Sequence, residues 1–171
     1  MQKALIAGLL LGFGLQAGLA ADKAVISAIE KSGGLVLPWP GEKDAWEVEF
    51  HLRGRDLEDD GLSAVAALKT VVALNLRDTK ITSDGLKHLK GLAKLKRLHL
   101  ERTAVDDAGV SHLTGLENLE YLNLYGTKIT DKALDQLSSL KNLKQLYVWQ
   151  TKVTDDGVTK LNKALPKLKI V

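Results

Sequence analysis

Two histidines, His51 and His99, stand 48 residues apart, and four threonines, Thr79, Thr103, Thr127 and Thr151, follow one another at intervals of 24. A row of hydroxyls with imidazoles nearby is the raw material of nucleophilic or metal chemistry. Whether it can act depends on what the interval of 24 brings together in space.

The interval recurs along the chain. Residues 74–89 read LNLRDTKITSDGLKHL and residues 122–137 read LNLYGTKITDKALDQL. Setting the chain against itself at 24 aligns apolar residues in five columns. Phe50, Leu74, Leu98, Leu122 and Leu146 form the first; Leu52, Leu76, Leu100, Leu124 and Val148 the second; Leu57, Ile81, Val105, Ile129 and Val153 the third. The remaining two hold Leu62, Leu86, Val110, Leu134 and Val158, then Val65, Leu89, Leu113, Leu137 and Leu161. A repeat of this length is one supersecondary unit that buries its apolar side only by stacking on its neighbours.

Each unit opens on alternation, as in Ala73, Leu74, Asn75, Leu76, Arg77, which sends apolar residues to one face of a strand and the others to the opposite face. A turn follows. Thr82, Asp106, Thr130 and Thr154 then stand where an N-cap side chain accepts a free backbone N–H, and the acidic residues after them suit a helix start. The short helix buries Leu86 and Leu89 on one side. The small residues Gly61, Gly85, Gly109, Ala133 and Gly157 let it approach its neighbours. A strand, a helix and a return to the next strand is a parallel, right-handed crossover. The sequence therefore predicts an α/β solenoid with a parallel sheet on the concave face and short helices on the convex face.

The pattern LxLxxTxITxxGLxxLxxLxxL over residues 46–171 resembles the leucine-rich repeat, in particular the 24-residue bacterial type common in exported planctomycete-like proteins. The segments LYVWQTKVTDDGV and LNKALPKLKIV are similar to the last repeat of that group. The resemblance implies a short horseshoe used as a binding scaffold, without catalytic residues or a cofactor.

The stacked columns also place the polar residues. In register at 24, the concave face carries Glu49, Ala73, Arg97, Tyr121 and Gln145, then His51, Asn75, His99, Asn123 and Tyr147, then Arg53, Arg77, Glu101, Tyr125 and Trp149. His51 and His99 would lie on either side of the Asn75 strand, roughly 9–10 Å apart at the usual strand spacing, too far to share a metal ion whose Zn–N bonds are about 2 Å. The threonine hydroxyls are placed to satisfy the adjoining turns. No serine, histidine and acid fall together, and no glycine-rich phosphate loop is present. His88 and His112 belong to the outer helices, among lysines, on a solvated face. The expected function is not enzymatic, with no catalytic, cofactor-binding or metal-binding residues.

Binding is a different matter. The last two concave strands present Tyr121, Tyr125, Tyr147 and Trp149, and the earlier ones an arginine-rich field that includes Arg77, Arg97, His99 and Glu101. Aromatic rings left in water on a rigid sheet mark an interaction surface; the bland alternative is that they stack only on each other across neighbouring strands. These eight residues are the candidate partner-binding site. A protein or peptide is the expected partner, with a glycan as the alternative.

The ends complete the organisation. Residues 1–20, MQKALIAGLLLGFGLQAGLA, combine a lysine, an apolar run and small residues before a cleavage point after Ala20, the layout of a secretory signal peptide. The apolar run falls short of the roughly 20 residues of a spanning helix. Residues 21–45 are expected to form an N-terminal helical cap and a linker, with Val25, Ile26 and Ile29 covering the first repeat and Trp39 folded over the core, and residues 46–171 about five repeats closed by a last half-strand. The chain has no cysteine and a formal charge of +3 on 24 basic and 21 acidic residues. Disulfides are thereby excluded, and the near-balance of signs argues against nucleic acid. The expectation is a monomeric, exported module, periplasmic or extracellular and not inserted in a membrane after cleavage. Two alternatives stand beside it. One is an accessory subunit of a cell-envelope complex that makes contact through its convex helices. The other is a substrate receptor like the F-box leucine-rich-repeat proteins, whose repeats are similar; residues 21–45 are too short for an F-box.

Overall fold

The computed structural model describes residues 18–171, and most of the segment read as a signal peptide lies outside the described residues. Among the described residues, seven strands form one sheet in sequence order. Helix α1 (Gly18–Lys31) and strand β1 (Leu35–Pro38) precede β2 (Trp46–Glu49). Then come α2 (Leu62–Ala67), β3 (Val71–Asn75), a 3-10 segment (Gly85–Gly91), β4 (Arg97–His99), α3 (Asp107–Val110), β5 (Tyr121–Asn123), α4 (Asp131–Leu137), β6 (Gln145–Tyr147), α5 (Asp155–Ala164) and β7 (Lys169–Ile170). From β2 to β7 every neighbour is parallel, and β3 to β6 pair in a strict register of 24: Ala73, Arg97, Tyr121 and Gln145 side by side, then Leu74, Leu98, Leu122 and Leu146. The apolar columns fill the space between sheet and helices, with Leu74, Leu76, Ile81, Leu86 and Leu89 and most of their equivalents wholly buried. Each such side chain stabilises the stack by roughly 1.5–3 kcal/mol.

The threonine column is structural. Thr79, Thr103, Thr127 and Thr151 donate their hydroxyls to the carbonyls of Leu76, Leu100, Leu124 and Val148, three residues earlier, at 2.5–2.8 Å. A second ladder ties each repeat to the next. The carboxylate of Asp59 accepts both the backbone N–H and the hydroxyl of Thr82; Asp107 does the same for Thr130, and Asp131 for Thr154. Ser83 and Asp106 make the corresponding rung with the donor and acceptor rearranged. The threonines cap α4 and α5 at the same time, so one side chain closes a helix start and locks two repeats. A Cβ at Gly85 or Gly157 would collide with the carboxylate of Asp59 or Asp131. These glycines make room for the ladder as well as for helix packing.

The first repeat departs from the expected register. Val48 lies opposite Leu74 and Glu49 opposite Asn75, and the Phe50 N–H bonds the Asn75 carbonyl as the Leu76 N–H bonds that of His99. Phe50 therefore occupies the Leu76 position, and Leu52, assigned to the core by the columns, is 61% exposed. The two-residue slip is taken up in the turn around Arg53 and Gly54, and Leu57 returns to register, since its carbonyl accepts Lys80 N–H as Ile81's accepts that of Ala104. His51 and Arg53 consequently leave the concave strand for the turn. The close approach of Gly33 to Gly54, where a Cβ on Gly33 would come within 2.8 Å of the Gly54 Cα, fixes this turn against the cap.

The cap itself is larger than expected. In α1, Ile29 is fully buried and Val25 packs on the core, and the helix ends where the Gly34 N–H bonds the Ile29 carbonyl with Gly33 at φ 85°, the left-handed exit that glycine favours. Leu35–Pro38, expected to be linker, is a strand antiparallel to β2. Proline is tolerated there because β1 is an edge strand. Trp46 rather than Trp39 packs on the core.

Candidate concave binding site

The concave face is a grid whose rows run across strands, so residues 24 apart become neighbours. Its rows are Glu47, Ala73, Arg97, Tyr121, Gln145 and Lys169, then Glu49, Asn75, His99, Asn123 and Tyr147. Beyond the strand ends, Asp78, Arg102, Gly126 and Gln150 all adopt left-handed backbone, with φ between 54° and 68°. That conformation is costly for a side chain other than Gly, Asn or Asp. Backbone bonds hold it in place: Asp78 N–H to Glu101, Arg102 N–H to Tyr125 and Gly126 N–H to Trp149.

The structure brings the aromatic candidates into two groups. His99, Tyr121 and Tyr147 form a continuous row across β4, β5 and β6, with centroids 4.7 and 5.4 Å apart, and Tyr125 pairs with Trp149 at 6.4 Å. Arg97 lies over the Tyr121 ring at 5.3 Å and Arg102 over Tyr125 at 5.9 Å. Tyr121, Tyr125 and Tyr147 are half-buried by these contacts, whereas Trp149 is 69% exposed. The rings thus stack on each other and still leave an open apolar surface at the β6 end.

The polar candidates divide differently. Glu101 is a buried carboxylate at 8% exposure. Its Oε1 accepts from His99 Nδ1 at 2.9 Å and from Asn123 Nδ2 at 2.8 Å, and the same Asn123 amide lies 3.3 Å from the Tyr121 hydroxyl. Glu101 therefore fixes the imidazole and the amide that flank Tyr121. Its Oε2 is enclosed and has no hydrogen-bond partner among the described residues. Arg77 reaches only Asp78, through Nε at 3.3 Å, and Arg102 grips Asp78 with two bonds of 2.5 and 2.7 Å. Asp78 and Arg102 escaped the sequence-level site. The Arg102 guanidinium holds the Asp78 carboxyl below its ordinary range, while burial pushes the Tyr121 phenol up.

Glu49, on the β2 side, lies 2.5 Å from His51 Nδ1 without hydrogen-bond geometry, and accepts from Asn75 Nδ2 at 3.4 Å. Burial raises its pKa, partly opposed by the His51 charge. Among the described residues no group of three or more His, Cys, Asp or Glu could hold a metal ion, and no helix is long and apolar enough to cross a membrane. His88 and His112, expected on a solvated face, are half-buried, and His88 Nε2 is enclosed without a partner among the described residues.

Family models described as leucine rich repeat match residues 67–90 and 93–153. Among solved structures, the chain is similar to an internalin (inlF) from Listeria monocytogenes, with TM-score 0.56 and 26% identity, and to an internalin C2 (inlC2) from the same organism, with TM-score 0.53 and 32% identity. Each likeness covers 64% of this chain, which spans 30% and 44% of those two proteins. The LRR ectodomain of the receptor kinase SOBIR1 from Arabidopsis thaliana shares the fold over 88% of this chain and 90% of its own, with TM-score 0.52 and 16% identity. No curated protein matches the sequence. The repeat of 24, its parallel register and these likenesses make the chain a leucine-rich-repeat protein whose repeats are similar to bacterial ones.

Proposed function

We propose that the protein is a non-catalytic, exported binding module that holds a protein or peptide partner on its concave face. The leucine-rich-repeat fold supports a protein-binding role in general. The observation that supports this face is the aromatic surface at its β6 end, where Trp149 stands 69% exposed beside Tyr125, next to the Tyr121–Tyr147 pair. Large rings held on a rigid sheet lose little conformational freedom on binding and are enriched among residues that dominate interface energies. Neither Tyr147 nor Trp149 belongs to the buried core.

Partners are first captured from native envelope extract with the wild-type protein, and the Tyr147→Ala, Trp149→Ala double variant is then compared in affinity and melting temperature. Binding should weaken by about 2 kcal/mol or more, with a small change in melting. A variant that binds normally removes this face from the function, and capture that depends instead on convex side chains transfers the role to the helices.

A further inference from the structure

We infer that the partner presents a cationic side chain, lysine or arginine, to the Glu101 carboxylate at the centre of the concave face. This rests on the concave-face binding proposed above and names the chemistry recognised there. Glu101 is buried, and its two donors both bond Oε1, leaving Oε2 without a partner among the described residues. A desolvated carboxylate oxygen without a donor is a standing cost that a charge-assisted hydrogen bond removes. The arginines nearby do not supply it. Arg102 is committed to Asp78 by two bonds and Arg77 reaches the same carboxylate.

The rings around the carboxylate favour the same ligand. Arg97 over Tyr121 and Arg102 over Tyr125 show that these ring faces accept guanidinium groups, as the negative face of an aromatic ring does. Tyr147 and Trp149 carry no such cation among the described residues. Oε2 is enclosed in the free protein, so the cationic side chain reaches it only as the side chains around it give way.

The test uses the full chain and three blocked pentapeptides of glycine with arginine, citrulline or glutamate at the centre, followed by NMR at the Tyr121, Asn123 and Trp149 signals. The arginine peptide should give saturable shifts, with the citrulline and glutamate peptides at least tenfold weaker. Glu101→Gln, which keeps an acceptor for His99 and Asn123, should abolish the difference between arginine and citrulline. Equal binding of arginine and citrulline by the wild type, or no binding of arginine, overturns the inference even if Glu101→Gln proves unstable. An unchanged preference in a folded Glu101→Gln protein does so too. Glu47→Gln, on the same face but outside the ring row, should change nothing; an equal loss there would reduce the effect to general charge. If arginine selectivity is missing while the Tyr147, Trp149 double variant still loses its captured partner, the cation inference fails and the concave face keeps its role.

Discussion

Replacing Asp107 by alanine tests whether the repeats are joined by the carboxylate ladder or merely stacked by their leucines. Asp107 accepts the Thr130 backbone N–H through Oδ1 and the Thr130 hydroxyl through Oδ2, both at 2.7 Å and partly buried. Hydrogen bonds to a charged group contribute roughly 1.5–3 kcal/mol each, and the truncation also leaves an enclosed N–H without an acceptor. Partial exposure lowers the sum, so the expected loss is about 2–4 kcal/mol. Asp107 also stands in the first turn of α3, where a negative charge alone contributes about 0.3–1 kcal/mol. Asp155 separates the two effects, because it holds the same position at the start of α5, is exposed, and accepts no threonine hydrogen bond among the described residues. Urea unfolding should show Asp155→Ala costing no more than about 1 kcal/mol. A cycle of Asp107→Ala with Thr130→Ala should give a coupling of about 1–2 kcal/mol, within the range for contacting residues. Equal losses at Asp107 and Asp155, with coupling near zero and unchanged m-values, would show that these carboxylates act only as helix-start charges.

The cap predicts that Ile29→Ala, which empties a fully buried site against Phe50 and Gly34, lowers stability by about 2–5 kcal/mol; a melting curve that overlays the wild type would deny α1 a capping role. Export predicts that the protein made in a Gram-negative host leaves the cytoplasm with Ala21 as its first residue, and an exported fraction that keeps Met1 by mass spectrometry contradicts the signal peptide.

What the sequence revealed and what it hid have separate physical causes. The columns of Leu74, Leu98, Leu122 and Leu146 are visible because a core position admits little besides an apolar side chain. The ladder was hidden in plain sight, since Asp107 and Asp131 sit where the helix dipole also favours an acid and one residue type serves two purposes. The left-handed exits were legible only at Gly126; Asp78 and Arg102 are held there by bonds to carbonyls of the next repeat, which a local reading of residue types does not contain. The slip in the first repeat was invisible because Val48 and Phe50 alternate as Phe50 and Leu52 do, so both registers satisfy the alternation of a strand and only the second keeps the interval of 24. Tertiary contact decides between them, through Gly33, Gly34 and Gly54 packing under the cap.

The candidate site shows the same division more sharply. That Tyr121 and Tyr147 meet follows from the register, because residues on adjacent strands of one face are neighbours. That Glu101 is buried does not follow from its column, whose other members Arg77, Tyr125 and Trp149 are exposed or half-exposed. Its burial comes from the contents of the neighbouring columns, where His99 and Asn123 donate to it. Those side chains lie on the face opposite the leucines, so they can be exchanged without disturbing the core, whereas the threonine and aspartate ladders cannot. A solenoid of this kind separates the two demands by the period of the strand: alternate residues hold the repeats together, and the residues between them are left to choose a partner.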